Sequence, residues 1–121
     1  MSKRVLVVDD SSAIRQSISF VLEQDGYEVV EAGDGMEGLD KLTFEPVQLI
    51  ITDVNMPNLD GISFIRRVRE QDRHKFLPVI VLTTESQNSK MEEGKKAGAT
   101  GWIVKPFSAE RLLNVVKRVL G

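Results

Sequence analysis

The chain has 121 residues, 41% hydrophobic and 28% charged, enough for one domain whose core needs no disulfide or structural metal. It contains no Cys and carries a formal net charge of −2. Disulfides, thiolate nucleophiles and cysteine-based zinc sites are therefore excluded, and no basic field draws the chain to nucleic acid or an anionic membrane.

In chain order, strand and helix patterns alternate. The first strand is expected at 5–8, an unbroken apolar run that ends in Asp9-Asp10. The run is too short for a signal peptide or a membrane span, so a cytoplasmic protein is expected. A helix over 12–25 follows, with Ile14, Ile18, Val21 and Leu22 on one face. Ser11 or Ser12 caps it and Gly26 stops it. The second strand, 27–31, is more polar, and the second helix carries Met36, Leu39 and Leu42. The glycines between 33 and 38 lack the spacing of a dinucleotide fingerprint.

The third strand, 48–52, runs into Asp53, and the third helix carries Ile62, Ile65 and Val68. His74, the sole His, lies in a polar stretch and is expected to be exposed. The fourth strand, 78–83, ends in Thr83. The fourth helix, 88–97, has Met91 as its main bulky apolar residue, Gly94 in its interior, and Lys95-Lys96 on a solvated face. It reads either as an ordinary exposed helix or as a weakly packed one that is the easiest element to shift, since an interior glycine costs about 1 kcal/mol relative to Ala. The fifth strand, 101–104, leads to Lys105-Pro106. Ser108 caps a last helix carrying Leu112, Leu113, Val116, Val119 and Leu120.

This alternation predicts an α/β fold: a (βα)5 doubly wound parallel sheet in a three-layer, flavodoxin-like sandwich. Strands one, three and four are continuous apolar runs, as strands covered on both faces must be. Strands two and five are more polar or shorter and belong at the edges. The order 2-1-3-4-5 with right-handed crossovers satisfies both conditions. Residues 1–121 read as a single domain with no output domain.

Four strand ends then meet at one rim of the sheet. Asp9, Asp10 and Asp53 bring three carboxylates together, and like charges at short range raise one another's pKa or recruit a cation. Oxygen donors without a Cys or His cluster suit Mg²⁺. Lys105 adds a fixed positive charge and Thr83 a hydroxyl. Such a set can receive a phosphoryl group, with Asp53 as nucleophile and Thr83 and Lys105 spreading the charge of the transferred oxygens. Taken singly, each residue has an ordinary structural reading: loop acids, a strand threonine, a surface lysine. The ordered combination carries the inference.

Five segments resemble the response regulator receiver family, in particular its single-domain chemotaxis members. They are Val5-Leu6-Val7-Val8-Asp9-Asp10, the run from Asp53 through Asn55-Met56-Pro57 to Asp60-Gly61, Val81-Leu82-Thr83-Thr84-Glu85, Ala97-Gly98-Ala99 and Val104-Lys105-Pro106-Phe107.

The resemblance implies that Asp53 is the phosphoacceptor and that Asp10, Asp53 and the backbone carbonyl of Asn55 bind Mg²⁺, for which Mn²⁺ can substitute. Asp9 would act through water. Asn55 and Glu85 would tune dephosphorylation, and Lys105-Pro106 would be a cis peptide. Thr83 would couple to Trp102, which stands where the chemotaxis members usually have Tyr, and so switch a face made of helix four, strand five and helix five.

The implied partners are a sensor histidine kinase, a protein target such as a flagellar motor switch protein, and a phosphatase. Neither nucleic acid nor membrane is among them, and the chain would be a monomer. It would catalyse only its own phosphorylation and dephosphorylation. A phosphate sink or phosphorelay intermediate would look nearly the same. A haloacid-dehalogenase-type hydrolase expects a D-x-D pattern where this chain has adjacent acids. A flavin binder expects a phosphate loop there, and a degenerate scaffold would lack some of the key residues.

Overall fold

The computed structural model describes residues 3–84 and 88–120. Its elements are β1 (Arg4–Val8), α1 (Ser12–Gln24), β2 (Glu28–Ala32), α2 (Gly35–Phe44), β3 (Leu49–Asp53), α3 (Gly61–Glu70), β4 (Val79–Thr84), α4 (Asn88–Ala97), β5 (Gly101–Lys105) and α5 (Ala109–Leu120). A short 3-10 turn over Asp72–His74 follows α3. The five strands are parallel and ordered β2-β1-β3-β4-β5, as expected from their texture. β3 is buried throughout, whereas β2 and β5 keep partly exposed positions.

Alternation along the strands divides the core in two. Leu6, Val8, Ile50, Val79 and Val81 pack under α2, α3 and α4, with Leu42, Phe64 and Ile65. Val5, Val7, Ile51, Ile80, Leu82 and Ile103 pack under α1 and α5, with Ile18, Leu22, Leu112 and Val116. This is the period-2 geometry of a sheet covered on both sides.

The helix ends follow from local chemistry. Ser11 caps α1, accepting from the Ile14 amide at 3.3 Å. Gly26, at φ +93°, closes the helix. Its amide donates to Glu23 O, and the Tyr27 amide donates back to Leu22 O. This is the paired arrangement that needs a left-handed residue just past the helix. Asp34 and Asp60 cap α2 and α3 through the amides of Glu37 and Ser63, and Ser108 caps α5 through Arg111.

Several expectations are corrected. β2, β3 and β4 each begin one residue later than the sequence pattern suggests and end one later. For β4 the reason is that Pro78 has no amide to donate to the ladder. Met36 is 49% exposed: it sits in the first turn of α2, rotated off the stripe of Leu39 and Leu42. His74 is half-buried, with Nδ1 2.7 Å from Gln71 Oε1. The turn after α3 folds it back, and its carbonyl accepts from Arg69. Lys95 is exposed, yet its ammonium lies 4.7 Å from the centre of the Trp102 ring.

Gly94 is buried in the interior of α4. A Cβ built on Gly94 would meet Ile62, Val81 and Ala99 at 3.5–3.9 Å, ordinary contact distances. Sterics therefore do not require glycine there, and its effect is to weaken the helix. Gly94→Ala is expected to raise stability by about 1 kcal/mol, read as a shift of the urea midpoint at unchanged slope.

Candidate functional site

The strand ends place the acids and the lysine together. Asp9 follows Val7, Asp53 follows Ile51 and Lys105 follows Ile103, each two residues on from a side chain packed under α1 and α5. Continued alternation turns all three to that same side. Lys105 Nζ lies 3.2 Å from Asp53 Oδ1 and 3.6 Å from Asp9 Oδ2. Carboxylate oxygens of Asp9, Asp10 and Asp53 all lie within 4.8 Å of one another.

Their environments differ. Asp9 is fully buried, Asp53 is 8% exposed, and Asp10 stands exposed at the mouth. Asp9 Oδ1 accepts the Ser11 amide at 2.9 Å, while Oδ2 is buried without a hydrogen-bond donor. Burial pushes the Asp9 carboxyl up from its ordinary value, and the nearby Asp53 carboxylate adds to the effect. Asp53 Oδ1 accepts the Val54 amide at 2.8 Å, which fixes the rotamer at the strand end.

Thr83 is fully buried at the end of β4, and its hydroxyl has no hydrogen-bond partner. Its alternation follows Val79 and Val81, so it belongs to the opposite side of the sheet from Asp53. That is the side of Trp102, which pairs with Val81 in the register while Thr83 pairs with Val104. Trp102 is partly exposed and packs against the core under α4. Asn55 is exposed just beyond β3. Lys105-Pro106 is a cis peptide. Glu85 lies outside the described residues.

The donor set fits a hard divalent cation. It is all oxygen, and one buried carboxylate oxygen lacks a donor. His74 is at the other end of the strands, before β4, and takes no part.

Two features were missed by sequence reasoning. Gly61, the first residue of α3, donates its amide to Val54 O at 2.8 Å. A Cβ there would run into the Asp53 carbonyl and the Val54 Cα, so only glycine lets α3 start against the end of β3. Gly61→Ala is expected to cost about 1–3 kcal/mol, measured by urea unfolding, because backbone carrying Asp53 has to move. The other feature is an apolar groove of about 760 Å³ beside the site. It is lined by Ile14, Ile18, Val21, Phe107 and Leu112, and reaches Lys105 and Thr84. The helical stripe of α1 signals burial, but not that part of it faces an open groove.

A phosphoryl-accepting switch domain is the class of protein that this fold and this rim of charges define. The model of the response regulator receiver domain matches residues 5–117, and the chain belongs to that family. Phosphorylation-dependent switching is the general function of the family.

Among its relatives is the chemotaxis protein CheY1 of Helicobacter pylori, 40% identical over 98% of this chain and 97% of that protein. The chemotaxis response regulator CheY4 of Vibrio cholerae superposes with a TM-score of 0.94, at 49% identity, covering 99% of this chain and 100% of that one. The receiver domain of a sensor histidine kinase from Pseudomonas aeruginosa was solved with a magnesium ion coordinated in its active-site cleft. It has a TM-score of 0.92 at 27% identity, covering 100% of this chain and 99% of that one. Receivers of this kind interact with histidine kinases and with protein targets. No described helix is long and apolar enough to cross a membrane.

Proposed function

We propose that Asp53 accepts a phosphoryl group in a Mg²⁺-dependent reaction and that the modified domain binds a protein target through α4, β5 and α5. The carrying observation is that three carboxylates lie within 4.8 Å of one another with Lys105 between Asp9 and Asp53.

Asp10, Asp53 and the carbonyl of Asn55 would hold the cation directly and Asp9 through water. When bound, Mg²⁺, or Mn²⁺ in its place, neutralises charge on the phosphoryl oxygens. A metal bound in the receiver from Pseudomonas aeruginosa supports this assignment. Asp53 attacks phosphorus with a carboxylate oxygen. The bond from phosphorus to the donor breaks, and its electron pair leaves with the imidazole of a kinase phosphohistidine or with the acetate of acetyl phosphate. Lys105 follows the incoming charge, and the Thr83 hydroxyl turns from its unpartnered position to donate to a phosphoryl oxygen. Water later attacks phosphorus, the bond from phosphorus to the Asp53 oxygen breaks, and inorganic phosphate leaves as the carboxylate is restored. Asn55 and Glu85 would set that rate. The chain thus turns over only its own modification.

Thr83 and Trp102 share one side of the sheet, so a rotated hydroxyl frees space next to the ring and biases the contact of Trp102 with α4. Similarity to the chemotaxis proteins favours a CheA-like sensor kinase as donor, a flagellar motor switch protein as target, a phosphatase as a further partner, and the cytoplasm as location.

The test is incubation with acetyl phosphate and Mg²⁺, read by intact mass. One phosphoryl group per chain is expected, and none when EDTA is present. No labelling from either acetyl phosphate or a phosphohistidine donor would sink the reading. A pulldown comparing the Mg²⁺–beryllofluoride form with the unmodified form would then identify the target.

A further inference from the structure

Arg15 lies on α1, outside the set of acids, and its guanidinium is anchored at two points. Nη1 donates to the backbone carbonyl of Asp9 at 2.6 Å, and Nε donates to Glu31 Oε1 at 3.0 Å. Its side chain is only 19% exposed. The Glu31 contact ties it to β2, the strand beside β1.

The consequence concerns Asp10. A peptide unit is planar, so the direction of the Asp9 carbonyl sets the plane from which Asp10 departs. The amide of Asp9 is already held by Ala32 O at 3.1 Å, and its carboxylate by the Ser11 amide. Asp10 itself is exposed and makes no side-chain hydrogen bond among the described residues. Its carboxylate is therefore aimed by its backbone, and among the described residues the one side chain gripping that peptide plane is Arg15. A charge-assisted bond from a forked cation, braced by a carboxylate, suits this task.

We propose that Arg15 is a positioning residue for the cation site: by clamping the Asp9–Asp10 peptide it directs the Asp10 carboxylate towards Asp53, with Glu31 bracing the clamp. This rests on the Mg²⁺-dependent reading above. Charge alone gives the opposite expectation. A guanidinium near a divalent cation repels it, so removing Arg15 should tighten Mg²⁺ binding if its charge were all that mattered. Removing a group that orients a metal ligand typically weakens the metal about 10–100-fold.

The experiment is calorimetric Mg²⁺ titration of the parent, Arg15→Met and Arg15→Lys, with circular dichroism and a metal-free melting curve on each. Arg15→Met is expected to raise the Mg²⁺ Kd about tenfold or more. The Mg²⁺ concentration giving half-maximal labelling by acetyl phosphate should rise by the same factor. Arg15→Lys keeps the charge but offers a single-point ammonium, and its Kd is expected between the two. If Arg15→Met does not fold, Arg15→Lys decides alone: a raised Kd supports the proposal and a parent-like Kd overturns it. A folded Arg15→Met that binds Mg²⁺ as tightly as the parent, or more tightly, overturns the role of Arg15 only. A parent that binds no Mg²⁺ overturns both readings.

Discussion

Asp53→Asn is expected to abolish phosphoryl labelling by acetyl phosphate, lowering the rate by about a thousandfold or more. The amide is nearly isosteric, and its oxygen can still accept the Val54 amide that Asp53 Oδ1 accepts at 2.8 Å. The strand end should therefore keep its shape. What disappears is the anionic oxygen that forms the bond to phosphorus. Lys105 loses its 3.2 Å partner but retains Asp9. Intact mass after incubation with acetyl phosphate and Mg²⁺ measures the effect. Undiminished labelling would move the acceptor elsewhere.

The second large effect is on stability. Mg²⁺ at a hundredfold excess over its Kd is expected to stabilise the parent by about 2.7 kcal/mol, which for a chain of this size is a melting shift of roughly 8 °C. In the absence of metal, Asp9→Asn is expected to raise the melting temperature and to shrink the response to Mg²⁺. The opposing contributions decide the sign. Burial and Asp53 disfavour the Asp9 carboxylate, while the Ser11 amide and Lys105 favour it, and the balance raises its pKa. The amide can keep the bond from Ser11, so the loss is confined to Lys105.

The pH dependence follows from the same balance. The folded chain holds the Asp9 proton to a higher pH than the unfolded chain does. The associated stability is fully present below the unfolded value of 3.8. It is lost as pH rises through the higher folded pKa, leaving a net cost at neutral pH. Calorimetric melting from pH 4 to 8 should show the advantage of Asp9→Asn growing with pH. An advantage that shrinks as pH rises would contradict the burial argument.

Much of this architecture is legible in the sequence. Continuous apolar runs in strands one, three and four fit strands covered on both faces, and the order 2-1-3-4-5 with right-handed crossovers satisfies that condition. The strand-end residues Asp9, Asp10, Asp53, Thr83 and Lys105 could be read as one rim because parallel strands all end on the same side. The scarcity of bulky apolar residues in α4 is visible in the sequence. The partial burial of His74 is not legible there, because a polar stretch does not reveal a chain that folds back on itself.

The sequence by itself determined the elements, their order and the kind of chemistry at the rim, because propensity, alternation and capping act over a few neighbouring residues. Tertiary structure decided which side of the sheet each rim residue takes, and so put Asp9, Asp53 and Lys105 on one side and Thr83 with Trp102 on the other. It also decided that Arg15 grips the Asp9 carbonyl, that α3 needs Gly61 to start against β3, and that Lys95 covers Trp102. These relations join residues on different elements. They depend on register and on the packing of both helical layers at once, which no local pattern records.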